Sequence, residues 1–234
     1  MPTIRTRYAF AAGLSIALSC TGSHAQAEDT DNTLKIGYAS IGFNTKSGDL
    51  SGPPGTTPSG IQADLKDART LALVYERRIS GPWAVVVQAG TPPVVKIDGA
   101  GTGATLGSVG TAKAWFPAVL ATYTFTGPSG IRPYVGAGVN YAFFTDRQVS
   151  AAYTGAFGGT SSSSKLENSW GAVVKLGVEF PIAKNWVIDM GYSRYSIETT
   201  ATITTTTPGV GDIARTIKVK ADPGAFGLLV GYRF

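Results

Sequence analysis

Few residues in this chain can do covalent or metal chemistry. Its 234 residues hold one Cys and one His, Cys20 and His24. Both fall in a segment where basic Arg5 and Arg7 precede an apolar run from Tyr8 to Cys20, and Ala25-x-Ala27 follows. That order predicts a secretory signal peptide over 1–27, cleaved after Ala27 because the peptidase admits only small side chains. The run is shorter than the ~20 residues of a spanning helix. A lipoprotein reading would cut before Cys20, but Ala17 stands where such signals carry Leu. Removing 1–27 removes both Cys20 and His24. What remains has no Ser-His-Asp triad, no cysteine nucleophile and no His-ligated metal. No catalytic residue, metal ligand or cofactor is assigned, and a non-enzymatic protein is expected. Loss of Arg5 and Arg7 from 20 basic residues leaves 18 against 15 acidic ones, a net +3. That charge is too small and dispersed for nucleic acid. Gly99–Gly103 invites a phosphate-loop reading, but no helix pattern follows, so it reads as a flexible outer loop.

The charged residues that do stand out sit inside apolar stretches, and those stretches must position them. Arg132, Lys175, Glu179, Asp189 and Arg233 each occupy the minor face of a period-2 pattern. In 170–180, Trp170, Ala172, Val174, Leu176, Val178 and Phe180 share one face, opposite Gly171, Val173, Lys175, Gly177 and Glu179. The pattern recurs in 131–144, in 186–195 and from Phe226 to Phe234. Weaker candidates cover 33–43, 69–77, 83–90 and 116–126. Runs of about ten alternating residues are what a tilted membrane-spanning strand requires. Thirty glycines and a mean hydropathy of +0.09 fit an all-β membrane chain better than a helical one. Eight strands, three short connections and four long ones (44–68, 91–115, 145–168 and 199–214) predict an eight-stranded antiparallel up-and-down transmembrane β-barrel over 28–234. Its short turns would be periplasmic. Aromatic residues mark both strand ends, including Trp83, Phe125, Trp186 and Phe234 near the turns and Phe43, Trp115 and Trp170 near the long loops.

One segment is more specific. Ile131-Arg132-Pro133-Tyr134-Val135-Gly136-Ala137-Gly138-Val139-Asn140-Tyr141 resembles a segment of the outer membrane protein W (OmpW) family. Ala89-Gly90-Thr91-Pro92, Pro117-Ala118-Val119-Leu120, Asn168-Ser169-Trp170-Gly171-Ala172, Asn185-Trp186, Asp222-Pro223 and Gly231-Tyr232-Arg233-Phe234 extend the likeness in order over roughly 33–234. The resemblance implies an eight-stranded barrel in the outer membrane of a Gram-negative bacterium. It also implies passage of small hydrophobic molecules through a narrow lumen, with sideways exit through the wall. The terminal Tyr232 and Phe234 resemble the signal that such barrels present to the barrel-assembly machinery.

An eight-stranded barrel is filled by its own side chains, so a wide aqueous pore is disfavoured. Alternation places Gln88, Leu120, Thr122, Asn140, Val173, Ser193 and Tyr195 along the lumen. Lys35, Arg132, Lys175, Glu179, Asp189 and Arg233 also point inward, clustered toward the periplasmic half. Register predicts Arg132 near Glu179 and Lys175 within one diagonal of Asp189, as an ion-pair plug. Gly136 and Gly138 are read as room for facing side chains. Ser161–Ser164 and Thr204–Thr207 read as loop residues or an extended hairpin above the membrane. Arg215, Lys218 and Lys220 are candidates for pairing with lipopolysaccharide phosphates. The expected partners are outer-membrane lipids, lipopolysaccharide, the assembly machinery and small hydrophobic molecules. Two readings compete: a passive channel or receptor for such molecules, and a structural barrel that displays its long loops without transport.

Overall fold

The computed structural model describes residues 31–127 and 130–234. The expected signal segment 1–27, with Cys20 and His24, lies outside the described residues. In chain order the strands are β1 (Asn32–Gly42), β2 (Lys46–Ser47), β3 (Ile61–Leu65), β4 (Ala68–Ser80), β5 (Trp83–Gly90), β6 (Val94–Gly101), β7 (Ser108–Trp115), β8 (Ala118–Thr124), β9 (Arg132–Val149), β10 (Ser161–Leu166), β11 (Ser169–Pro181), β12 (Trp186–Tyr195), β13 (Glu198–Thr207), β14 (Gly211–Lys220) and β15 (Gly224–Arg233). A short helix, α1 (Ala151–Ala156), follows β9, and a 3-10 turn, Ala104–Leu106, lies between β6 and β7.

Eight of these strands close on themselves. The order β1-β4-β5-β8-β9-β11-β12-β15 returns to β1, every pairing antiparallel. Closure leaves the wall no free edge and satisfies its backbone groups in a medium without water. The eight strands are those the alternation picks out, with ends shifted by a few residues. The largest shift is β9, which runs on to Val149.

The barrel is turned inside out relative to a soluble protein. Leu34, Ile36, Tyr38, Val139, Val174, Leu176 and Leu228 are exposed on the outside. Lys35, Glu179, Asp189, Asn140 and Gln88 are buried inside. Period-2 alternation in a lipid solvent demands this arrangement. Aromatic pairs ring both ends. Trp83–Tyr123 and Trp186–Tyr232, with centroids 5.1 and 5.0 Å apart, lie near the short turns. Tyr141–Trp170, at 4.8 Å, lies near the long connections.

The long connections are not loops. Beyond β8, β9 pairs with β7, then β7 with β6 and β6 with β3. A second sheet has the order β10-β13-β14-β2. The Ser161–Ser164 run is β10, and the Thr204–Thr207 run ends β13. Ser161 faces Thr206 and Ser162 faces Thr205 across the pair, with Ser162 donating to Thr205 Oγ1 at 3.1 Å. Thr favours strands through its branched Cβ, and facing hydroxyls satisfy each other. Gly99, Ala100 and Gly101, expected in a flexible loop, belong to β6 and pair with Ala63, Gln62 and Ile61. The two sheets enclose a second apolar core of Leu50, Ile61, Ala63, Tyr153, Ile217 and Val219. Burial of that core orders sequence that looks like polar linker.

Candidate functional site

The lumen holds the chemistry, and it is built from the short-turn end upward. Lys35 faces inward from β1. Its Nζ lies 2.8 Å from Glu76 Oε2, 2.8 Å from Asp189 Oδ2 and 2.5 Å from Glu179 Oε1. Reaching Asp189 means crossing β15, and Gly231 makes that possible. It is the residue opposite both Lys35 and Val187. A Cβ on Gly231 would come within 2.8 Å of Lys35 Cγ and Val187 Cγ2. Glu179 also takes Arg233 Nη2 at 2.9 Å and Arg132 Nη1 at 3.6 Å. Three cations thus meet three carboxylates across the barrel.

Tyr134 covers this cluster. Its hydroxyl donates to Asp189 Oδ1 at 2.8 Å. Lys35 and Lys175 Nζ sit 5.6 and 5.5 Å from its ring centroid. Gly177 and Gly191 leave the space its phenol occupies, since a Cβ on either would lie 2.4 or 2.6 Å from the hydroxyl.

The expected Arg132–Glu179 contact is present, whereas Lys175 departs from its expected place. Lys175 faces Ser193, while Asp189 faces Glu179 four residues along, roughly 13 Å at strand rise. Asp189 is already held by Lys35 and Tyr134. Among the described residues Lys175 makes no ion pair, and it borders the plug only through the Tyr134 ring that it shares with Lys35.

Above Tyr134 opens a cavity of about 260 Å³. Its lining is mixed: Lys175 and Tyr134, apolar Val74, Leu229 and Phe116, and polar Gln88, Ser193 and Tyr195. Gln88 Nε2 donates to Tyr195 Oη at 2.5 Å, and the Tyr195 ring packs edge-on to Phe116. Leu120, Thr122, Asn140 and Val173 point inward and are buried, but none of them lines this cavity. Leu120 and Val173 pack into the barrel core with Tyr195. Thr122 donates to the Ala84 carbonyl at 3.4 Å. The Asn140 amide, oriented by the network it satisfies, donates to the Gly171 and Ala172 carbonyls at 3.1 and 3.2 Å.

The cavities form a series. An apolar chamber of about 110 Å³ between the two upper sheets shares Ala114, Trp115 and Phe116 with the lumen cavity. An outer bowl at the tip shares Ile61 and Leu106 with that chamber. A groove on the outer wall, beside Tyr38 and Leu228, shares Ala39, Thr70 and Thr91 with the lumen cavity. The wall is weakly sewn there. Pairing of β4 with β5 ends at Ala72–Gly90, with one further bond from Thr91 N–H to the Leu71 carbonyl. Pro92 and Pro93 follow and carry no N–H. Thr70 and Thr91 Oγ1 meet at 3.0 Å and close the gap with side chains. Phe43, expected at the membrane interface, packs against this interior instead. Trp115 stacks on Phe143 at 5.7 Å and joins the Tyr141–Trp170 girdle, as expected, while also bordering the cavities.

Arg215, expected to face lipopolysaccharide, is 2% exposed. It donates to Thr57 Oγ1 at 3.1 Å and to the Thr56 carbonyl at 2.9 Å, and lies over the Phe157 ring. Burial pushes the neighbouring Tyr153 phenol up to about 12, against the pull of Arg215. Lys218 and Lys220 on the same strand are exposed.

The closed eight-strand wall, its two aromatic girdles and its long upper strands narrow the candidates, and comparison with known families decides among them. The model of the OmpW family matches residues 28–234. The chain belongs to the OmpW family. It is 30% identical over 224 residues to outer membrane protein W of Escherichia coli K12, covering 95% of this chain and 97% of that one. It is 25% identical over 221 residues to the dibenzothiophene metabolism operon protein PahQ of Pseudomonas aeruginosa, covering 93% and 95%. The crystal structure of the outer membrane protein OprG of Pseudomonas aeruginosa superposes with a TM-score of 0.75 at 25% identity, covering 87% of this chain and 95% of that one. This OmpW-family barrel is accordingly an outer-membrane protein. Its short turns face the periplasm and its two upper sheets the exterior.

Sequence reasoning missed the network membership of Glu76 and Tyr134 and the central place of Lys35. Glu76 lies on β4, whose faces the weak alternation of 69–77 leaves unassigned. The signal for Tyr134 was available, since it shares a face with Arg132. For Lys35 the signal was its inward position, but its partners lie 41 and 154 residues away.

Proposed function

We propose that this OmpW-family barrel is a passive conduit for small, mostly apolar solutes. They enter between the extracellular sheets and leave sideways into the membrane. The observation that carries this reading is the series of cavities with shared linings, from outer bowl to chamber to lumen to outer-wall groove, set above a neutralised ion-pair plug. A charged plug opposes straight-through flow, because passing ions would have to replace hydrogen-bonded, desolvated partners. The apolar walls favour solutes that give up little hydration. The weak seam at Thr70, Thr91 and Pro92 supplies a place to leave. The relative named for a dibenzothiophene metabolism operon supports the same direction, dibenzothiophene being an apolar fused aromatic. On this reading residues 1–27 are removed as a signal peptide, and Tyr232 and Phe234 address the chain to the assembly machinery. Lys218, and Lys220 beside Asp222, remain the exposed basic residues of β14 offered to lipopolysaccharide.

The test is solute entry into liposomes carrying the protein, for toluene and for a small ion, against empty liposomes. Faster entry of toluene alone is expected. Ion entry would mean that the plug is open. No acceleration of either, with the barrel folded, would leave a structural barrel that displays its extracellular sheets.

A further inference from the structure

Lys175 is the ammonium that the plug leaves over. Lys35, Arg132 and Arg233 are matched by Glu76, Glu179 and Asp189 through ion pairs of 2.5–3.6 Å. No such pair holds Lys175 among the described residues, although it is only 8% exposed. It rests over the Tyr134 ring at 5.5 Å and lines the lumen cavity. A buried cation without a counter-ion is costly, and an arriving anion removes that cost. Gln88, Ser193 and Tyr195 offer further polar groups on the same cavity, with Ser193 directly across the strand pair from Lys175. Apolar Val74, Leu229 and Phe116 line the same cavity, Val74 facing Gln88 across its strand pair and Phe116 packed on the Tyr195 ring. The cavity therefore offers both a seat for a charged oxygen, at Lys175, and hydrocarbon surface beside it. Its 260 Å³ limits the occupant to a small molecule.

We propose that the lumen cavity binds small amphiphiles whose carboxylate head sits on Lys175 and whose apolar body packs against Val74, Leu229 and Phe116. The inference rests on the conduit reading and narrows it. Neutral hydrocarbons pass through, whereas carboxylates of similar size dwell at Lys175. Charge-assisted hydrogen bonding in a desolvated cavity sets the preference.

The test is a fluorine NMR titration of the protein extracted from outer membranes and reconstituted in lipid nanodiscs, with empty nanodiscs as the partition control. The probes are 4-fluorobenzoate, 4-fluorobenzyl alcohol and, by displacement, acetate. The wild type is expected to prefer the benzoate to the alcohol by at least about tenfold. Acetate, a head without a body, should bind at least about tenfold more weakly than the benzoate. Lys175→Met should lower the benzoate-to-alcohol ratio to about one, and Lys175→Arg should restore most of it. A wild-type ratio near one, a ratio unchanged by Lys175→Met, or acetate binding as well as benzoate would overturn the proposal. The wild-type ratio decides even if a variant fails to fold. Toluene entry into liposomes separates the two readings. If toluene passes but carboxylate preference is absent, this proposal falls alone. If benzoate binds but toluene does not pass, the conduit falls and a binding barrel remains.

Discussion

Lys35 and Lys175 are both inward-facing lysines on membrane strands, and their surroundings give them opposite energetic signs. Lys35 bridges three buried carboxylates, Glu76, Glu179 and Asp189, whose charge it balances together with Arg132 and Arg233. Removing it strands buried charges, which costs roughly 3–5 kcal/mol. Lys175 has no carboxylate partner in contact, so removing it relieves a desolvation cost. Urea unfolding of the reconstituted protein, followed by tryptophan fluorescence, should therefore show a large loss for Lys35→Met. Lys175→Met should be neutral or stabilising. Equal losses for the two would mean that the plug is not the neutral cluster the distances describe.

At the scale of elements, the informative boundary is that between β4 and β5. Ladder bonds join β4 and β5 up to Ala72–Gly90, and above that pair the seam depends on Thr70 and Thr91. A Thr70→Cys/Thr91→Cys pair should form a disulfide and lock it. In the oxidised protein, toluene entry should fall to the rate of empty liposomes and return on reduction, while ion leakage stays at its baseline. Unchanged toluene entry in the oxidised form would place the exit elsewhere. The extracellular sheets are a second element-scale matter. Arg215 on β14 clasps the 52–59 segment through Thr56 and Thr57. Arg215→Ala should release that segment, so that trypsin cuts at Lys46 or Lys66 while the barrel keeps its heat-modifiable gel mobility. If trypsin cuts the wild type there equally fast, the clasp does not order the segment.

For the whole molecule, two tiers share one chain. The lower tier is a closed wall in lipid with a polar interior. The upper tier is a pair of sheets in water with an apolar interior. Polarity inverts between them because the solvent does: lipid draws apolar side chains outward and water drives them inward. The cavity series passes from one tier to the other through the Ala114–Phe116 segment, where β7 hands over to β8. From the extracellular side inward the cavities are thus apolar first and mixed second, above a plug of ion pairs.

Much of the lower tier was legible in the sequence. Eight runs with a two-residue period, aromatic ends and alternating connection lengths specify a barrel, because strand period and lipid solvent are local constraints. They also place Arg132, Lys175, Glu179, Asp189 and Arg233 inside, along with Gln88, Ser193 and Tyr195. The upper tier was not legible. Ser/Thr-rich and Gly-rich runs have no strong period, and they become strands only when a distant sheet covers them. Nor was the pairing inside the plug. Lys35 meets Asp189 across a strand that only barrel closure brings between them, and Glu76 comes from a strand of weak alternation. Closure and register decide which charges are matched. They leave Lys175 four residues above Asp189's level and unpaired, because a barrel joins side chains by geometry around its circumference rather than by order along the chain.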